Sequence, residues 1–449
     1  MTTSLLLSFS LLVSSPAPTT LDENACIQRV LQKHADLRVA DLQIESARTK
    51  LKELESTFYP KLQVTTWVAP MFRVNGNALE PTVDYEYESL SDWGPYLHFE
   101  ARLVQLLSTF GRFDTLKEAA ELNTKVEEAK RQLVETSLLT ETRRMILAYR
   151  LALSLEKTVG TILETLDKAL EYAKPVYAEG TGAVTTIDLS RLEFGKSKAL
   201  GFQAMLEEQT LLVEQGLRFL LHAHDQEELS FSFEKLPRLR SIEALPSTHT
   251  LIEQAYRGRP EWSQLRNGQR AYQHLAEVER QNLYLPYLFM AGEFSADWTP
   301  MRDNSENPYH FDPYNGTWGG LALGLRWDLD WAGSAARREG WELERSKLEA
   351  LETKLASGIE AEILALVTQV NQAKKRGDII RLGGRAARKW MLSASAGFSL
   401  GTASARDLLE GVLAFSEAKL GEASATYALL VARAELDRAL GFRIESDRE

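Results

Sequence analysis

The sequence predicts a mixed α and β membrane protein made by internal duplication, and three observations carry that reading. Two sets of segments recur in the same order at a spacing of about 220 residues, too long for a solenoid repeat. Short segments in each set alternate between an apolar and a polar face, with tryptophans at their ends. Two runs of about 65 residues, 112–177 and 334–399, are almost free of proline and step their apolar residues by three and four.

The duplication is legible in paired landmarks. "HADLRVADLQIESARTKLKELESTFYPKL" at 34–62 matches "RPEWSQLRNGQRAYQHLAEVERQNLYLPYL" at 259–288; each is a helix that ends in an aromatic and a proline, Pro60 and Pro286. "LSTFGR" around Gly111 matches "LDWAGS" around Gly333. The predicted organisation is a signal peptide at 1–20, a first repeat at 21–222, a linker at 223–250 rich in Glu, Ser and Pro, a second repeat at 251–442 and a tail at 443–449. Each repeat runs helix, β-hairpin (61–107 and 286–331), very long helix, tip (178–186 and 398–405) and return helix (186–222 and 405–440).

At the N-terminus, an apolar run from Leu5 to Val13 followed by small residues and prolines fits a secretory signal, although no Lys or Arg precedes the run. Cleavage is expected around 17–20. "DENA" before Cys26 is too polar for a lipoprotein site, so no lipid anchor is expected. No later stretch is apolar for the length a membrane helix needs, about 18 residues.

The strands read cleanly. In 319–331, Leu321, Leu323, Leu325, Trp327, Leu329 and Trp331 share one face, while Ala322, Gly324, Arg326, Asp328 and Asp330 share the other. In 288–298, Leu288, Met290, Phe294 and Trp298 oppose Glu293, Ser295 and Asp297; in 96–103, Leu97, Phe99, Ala101 and Leu103 oppose His98, Glu100 and Arg102. The strand at 62–72 is weakest, with Trp67 on the polar side. A half-buried soluble sheet also alternates, but export together with Trp93, Trp298, Trp318 and Trp331 near strand ends favours a transmembrane barrel. The connecting loops, 74–94 and 299–318, are long and polar. Four strands cannot close alone, since about eight is the smallest closed barrel, so the barrel must be shared among chains.

The helical runs would each extend roughly 100 Å at 1.5 Å per residue. Their seams, such as Ala119, Leu122, Val126, Ala129 and Leu133, are coiled-coil-like.

Composition excludes several function classes. A net charge of −11, from 52 Lys and Arg against 63 Asp and Glu, gives no basic field for nucleic acid. The single cysteine excludes an internal disulfide framework. His222, His224, Asp225 and Glu227 form the one close cluster, and a solvated turn explains it better than zinc, which takes four closely held ligands. No Ser/His/Asp set, metal signature or phosphate loop stands out, so neither an enzyme nor a cofactor is expected.

The two breaks, "GTGAVTTIDLSR" at 180–191 and "FSLGTASARDLLEG" at 398–411, each place an Asp shortly after a glycine: Asp188 and Asp407, the latter with Glu410 on the same helix face. Two readings apply to Asp407. It is an N-cap or first-turn acid of the return helix, or a member of a carboxylate ring in an assembly, selecting cations. Both roles are compatible.

The order export signal, helix, "YP", strand pair, "FGR", long helix, "YAEGTGAVTTIDL", helix, then the whole set again, resembles the TolC-like outer-membrane efflux proteins. The resemblance covers essentially all of the chain beyond the leader. It implies a homotrimer whose twelve strands form an outer-membrane β-barrel above a periplasmic α-barrel, a passive exit duct that docks with an inner-membrane pump, proton-driven or ABC type, through a periplasmic adaptor. It places adaptor docking at Gly182 and Ala183 in the first tip, where the extra glycine of "GTG" leaves Gly180 as the alternative to Gly182, and at Gly401 and Thr402 in the second. It places the entrance gate at Asp188, Asp407, Glu410 and Phe398, and leaves Glu100, Arg102, Glu293, Asp297, Arg326 and Asp328 facing the barrel lumen. A periplasmic coiled-coil scaffold is the alternative from another class.

Overall fold

A computed structural model describes residues 19–441 apart from 181–183, 224–226, 228, 238–243, 303–306 and 310. Residues 1–18 of the expected leader and the tail at 443–449 lie outside it. The chain divides into two compact units, one helical (up to Leu42, Ala129–Ser263 and from Glu352) and one built on a sheet (Gln43–Glu128 and Gln264–Leu351).

The duplication is visible element by element. The first half runs α1 (Glu23–Lys33), α2 (Ala35–Glu55), β2 (Lys61–Gly76), β4 (Trp93–Ser108), α3 (Arg112–Ala178) and α4 (Thr186–Leu220). The second runs α5 (Thr248–Gly258), α6 (Pro260–Asn282), β6 (Tyr287–Trp298), β7 (Gly316–Arg326), α7 (Trp331–Ser399) and α8 (Ala405–Leu440). Two short strands, β1 (Thr19–Leu21) and β5 (Leu229–Phe231), pair in parallel. Thr19 and Thr20, expected within the leader, are therefore strand residues.

The helices expected at 34–62 and 259–288 are α2 and α6, and a further short helix, α1 or α5, precedes each. His34 and Arg259 adopt extended backbone, with ψ 131° and 127°, and end α1 and α5 after one short amphipathic segment. Pro260 then starts α6 at the first helical position, where its missing N–H costs nothing. Asp22 caps α1 by accepting from the Ala25 N–H at 2.7 Å, and Ser247 caps α5 by accepting from the Thr250 N–H at 3.2 Å.

In the sheet unit the strands are ordered β3-β2-β4-β6-β7 and paired antiparallel throughout. The fifth strand, β3 (Val83–Glu86), lies within the stretch expected to be loop; it pairs with Arg73–Gly76 and so extends the first hairpin. The second hairpin differs from expectation at its end. β7 stops at Arg326, because Arg326 faces Tyr287, the first residue of β6, and no strand remains beside the residues beyond it. Trp327, Leu329 and Asp328 are therefore outside the strand, and Trp331 begins α7.

The register puts the predicted faces together. His98 faces Asp297, Glu100 faces Ser295 and Arg102 faces Glu293 across β4 and β6, while Trp67, Thr65 and Gln63 of β2 stand opposite the same three β4 residues. The other face carries Leu62, Val64, Val68, Leu97, Phe99, Phe294, Leu321, Leu323 and Leu325, all exposed; Leu321 is 79% and Leu323 72% accessible. A soluble protein rarely leaves so continuous an apolar surface uncovered.

The helical unit is held by several buried clusters. The largest packs the ends of α3 and α7 against the starts of α4 and α8, through Leu166, Ala173, Leu192, Met391, Phe398, Leu408 and Phe415. At the other end of α8, Glu362 of α7 bridges Arg259 at 2.7 Å and Arg438 at 2.6 Å. Leu436 and Leu440 pack there with Leu251, Trp262 and Ile363.

Candidate functional site

The second tip is built by its own backbone. α7 ends at Ser399, and Gly401 takes the left-handed conformation (φ 72°) that an L side chain avoids. The Thr402 N–H reaches the Gly397 carbonyl at 2.8 Å and the Gly401 N–H reaches that of Phe398 at 3.1 Å, the two bonds of a Schellman motif. Two residues later Ser404 caps α8. Its hydroxyl accepts from the Asp407 N–H at 3.2 Å, while Asp407 accepts from the Ser404 N–H at 3.1 Å and hydroxyl at 2.6 Å. This is a reciprocal capping box with Asp in the place of the usual Glu or Gln. The Ser404 hydroxyl and N–H hold the Asp407 carboxyl below the usual carboxylate range.

The first tip repeats these parts with different spacing. Gly180 (φ 68°) ends α3, its N–H donating to the Tyr177 carbonyl at 3.1 Å, so Gly180 is the conformational twin of Gly401. Gly182 and Ala183, the expected docking residues, lie outside the described residues. Thr185 caps α4 and forms the same box with Asp188, at 3.2 Å, 3.1 Å and 2.6 Å.

The expected gate residues thus separate into three kinds. Asp188 and Asp407 both serve their own helix starts. Glu410 is paired at 2.8 Å with Arg406, one turn earlier on α8, an exposed ion pair not anticipated from the sequence although its i,i+4 spacing is visible there. Phe398, expected at the entrance gate as an aromatic on the same coil, is 4% accessible and sits inside the tip core, edge-on to Tyr172 with ring centroids 5.6 Å apart. Thr402 and Gly401 are exposed at the turn.

On the sheet, five of the six predicted lumen residues lie on one face. Asp297 is the centre of a hydrogen-bonded group. It accepts from the Tyr96 hydroxyl at 2.5 Å and the Ser295 hydroxyl at 2.9 Å and meets His98 Nδ1 at 2.6 Å. Beside it, Arg102 pairs with Glu100 at 2.7 Å and lies 3.5 Å from Glu293. Arg326 pairs with Asp328 at 3.0 Å, but Asp328, expected in the strand, sits in the turn towards α7. Trp67, on the polar side, lies against Tyr96 and His98 at 4.7 Å and 4.9 Å. Tyr96 opens the alternating stretch 96–103 but was not named on its polar face.

Where the hairpins turn back, the loops are tied together. The Asn307 amide donates to the Glu80 and Thr82 carbonyls at 2.9 Å each, and Arg302, almost fully buried, lies 3.1 Å from Asp312 and over the rings of Tyr314 and Phe72. Among the described residues no group of three or more His, Cys, Asp or Glu is placed to hold a metal ion, and no helix is long and apolar enough to cross a membrane.

No family model and no curated protein matches this sequence. Solved structures do. The outer-membrane channel OprN is 18% identical with a TM-score of 0.71, covering 93% of this chain and 89% of that one. CusC, described for transmembrane channel formation, is 14% identical with a TM-score of 0.73 over 94% and 92%. The Vibrio cholerae outer membrane protein VceC is 16% identical with a TM-score of 0.69 over 94% and 97%. The fold is that of the TolC-like outer-membrane channels. At these identities the likeness establishes the fold of the chain over nearly its whole length.

Proposed function

We propose that this chain is one protomer of a trimeric outer-membrane exit duct, working without chemistry of its own. Each copy contributes four long strands to a twelve-stranded barrel. The helices continue the passage through the periplasm, and the tips at 178–186 and 398–405 dock with a periplasmic adaptor of an inner-membrane pump, in a tripartite efflux or type I secretion system. The single observation that carries this reading is the sheet: one face exposes Leu, Val and Phe along every long strand, and the other gathers His98, Glu100, Arg102, Glu293 and Asp297. Lipid suits the first face and water the second. A coiled-coil scaffold has no use for that apolar face.

Detergent extraction and sizing test the assembly: recovery from outer membranes as a trimer supports the duct, and a monomer soluble without detergent sinks it. Single-channel recording tests the entrance. Asp407 and Glu410 would recur three times around the axis, and like charges held close repel and recruit cations. Asp407→Ala with Glu410→Ala is expected to weaken divalent-cation block; unchanged conductance and block would remove the carboxylate ring from the mechanism.

A further inference from the structure

Both outer edges of the sheet are open in a single chain. β2 is exposed from Lys61 to Val68, and β7 is exposed along nearly its whole length. β3 covers β2 only at Arg73–Gly76. Unpaired backbone groups in hydrocarbon cost several kcal/mol each, so an edge in lipid must be covered by another strand.

The duplication identifies the residues that would meet. The repeat carries Pro60 onto Pro286 and Gly111 onto Gly333. The same two steps carry Lys61 onto Tyr287 and Val104 onto Arg326. Lys61 faces Val104 in the first hairpin, and Tyr287 faces Arg326 in the second, so both hairpins share one register. The joint between the halves is β4 against β6, with Glu100 facing Ser295. Applied to that joint, the steps carry Glu100 forward to Ala322 on β7 and Ser295 back to Ala69 on β2.

We propose that β7 of one copy pairs antiparallel with β2 of the next, in the register that sets Ala322 opposite Ala69 and so repeats the β4–β6 joint between chains. The inference rests on the trimeric duct and adds a residue-by-residue register to it. The ladder runs from Gly319 opposite Phe72, where β3 ends the free edge, to Asp328 opposite Gln63. Leu321, Leu323, Leu325 and Trp327 then continue the apolar face beside Pro70, Val68, Thr66 and Val64. On the other face Arg326 and Asp328 stand beside Thr65 and Gln63. A slip of one residue would exchange the faces. The register also supplies a strand beside Trp327 and Asp328, which β6 is too short to reach, and so accounts for alternation that outlasts β7 in the sequence.

Pairing type follows from two prolines. Pro70 faces Pro95, and with no N–H on either residue they cannot exchange the two bonds of a hydrogen-bonded pair. Pro70 therefore turns its hydrogen-bonding side to the open edge, and Ala69 turns its own towards β4. Ala69 and Ala322 would form a non-hydrogen-bonded pair with Cα atoms about 4.5 Å apart, within the roughly 4.4–6.8 Å that a disulfide spans.

The test is oxidation of full-length Ala69→Cys/Ala322→Cys in outer membranes. Cys26, the one native cysteine, is buried, and burial pushes its thiol up to about 12, leaving it a quiet background. Most of the chain should shift to covalent dimer and trimer bands that reductant collapses, while Ala69→Cys/Gly320→Cys and Ala69→Cys/Gly324→Cys stay largely monomeric. Crosslinking of a shifted pair instead would overturn the register and leave the duct standing. Absence of crosslinks in all three would overturn the edge pairing, and monomers on sizing of the unmodified protein would take the trimeric duct with it. As a measurement free of substitutions, amides of 63–72 and 319–328 in the unmodified assembly should exchange as slowly as those of β4 and β6. Fast exchange there would also overturn the pairing.

Discussion

The two tips are built from the same parts, and they differ in what surrounds them. Each has a left-handed glycine, Gly180 or Gly401, and a capping box, Thr185 with Asp188 or Ser404 with Asp407. The residue three before the glycine is Tyr177 in one and Phe398 in the other. Phe398 is sealed in the core between the hairpins; Tyr177 is 42% accessible and hydrogen-bonds Thr186 at 3.1 Å. Duplication has preserved the turn chemistry, which is local, while the packing that each turn meets has diverged.

The sharpest way to break the comparison is truncation at the paired positions. Phe398→Ala should destabilise the helical unit by about 3–5 kcal/mol, the usual cost for a buried aromatic, whereas Tyr177→Ala should stay within roughly 0.5 kcal/mol. Chemical unfolding followed by helical circular dichroism compares them directly, and equal costs would show that the tips are packed alike. Next come the glycines. Gly401→Ala and Gly180→Ala should each cost about 1–2 kcal/mol from the left-handed backbone alone, because among the described residues a Cβ at Gly401 meets only the Tyr172 hydroxyl, at 3.8 Å, and one at Gly180 meets nothing within 4 Å. A much larger cost at one tip would reveal a contact made there in the assembly.

Removing the caps is a smaller change. Ser404→Ala and Thr185→Ala should each cost about 1 kcal/mol, by loss of one N–H acceptor, and should fray the first turns of α8 and α4, measurable as faster amide exchange at 186–189 and 405–408. The smallest effect is that of pH. Since the folded Asp407 carboxyl is held below its ordinary value of about 3.9, its contribution is complete above that value and fades as pH falls through the lowered one. Opening at 405–408, read as exchange corrected for the intrinsic amide rate, should therefore rise below about pH 4, and Asp407→Asn should remove that dependence.

Much of the architecture was readable because it is local. Runs almost free of proline, the Gly breaks and the acids just after them set the helix limits at 178, 186, 399 and 405 to within a residue or two. Strand faces were readable from their period of two. The short helices α1 and α5 were not, since each is set off from the next helix only by one residue with extended backbone, His34 or Arg259. The end of β7 was missed for a different reason: alternation marks what a strand is suited to, while assigned pairing depends on the neighbour present, and β6 is short. For Phe398 the helical face was legible, but the surface it meets, the core of the tip, was not. At the first tip "GTG" offers Gly180 or Gly182, and Gly180 carries the helix-ending conformation. Arg406 was overlooked even though its pair with Glu410 required only counting four residues along α8.

The closure of the second tip by hydrogen bonds within residues 397–407 has a consequence for recognition. A reversal that depended on its partner would have to be ordered at the moment of contact, at a conformational cost of about 1–2 kcal/mol for each residue fixed. Here the Schellman bonds and the capping box fix it beforehand. Whatever meets Gly401 and Thr402 encounters a surface already set, so the contacts made there go into affinity rather than into folding the turn.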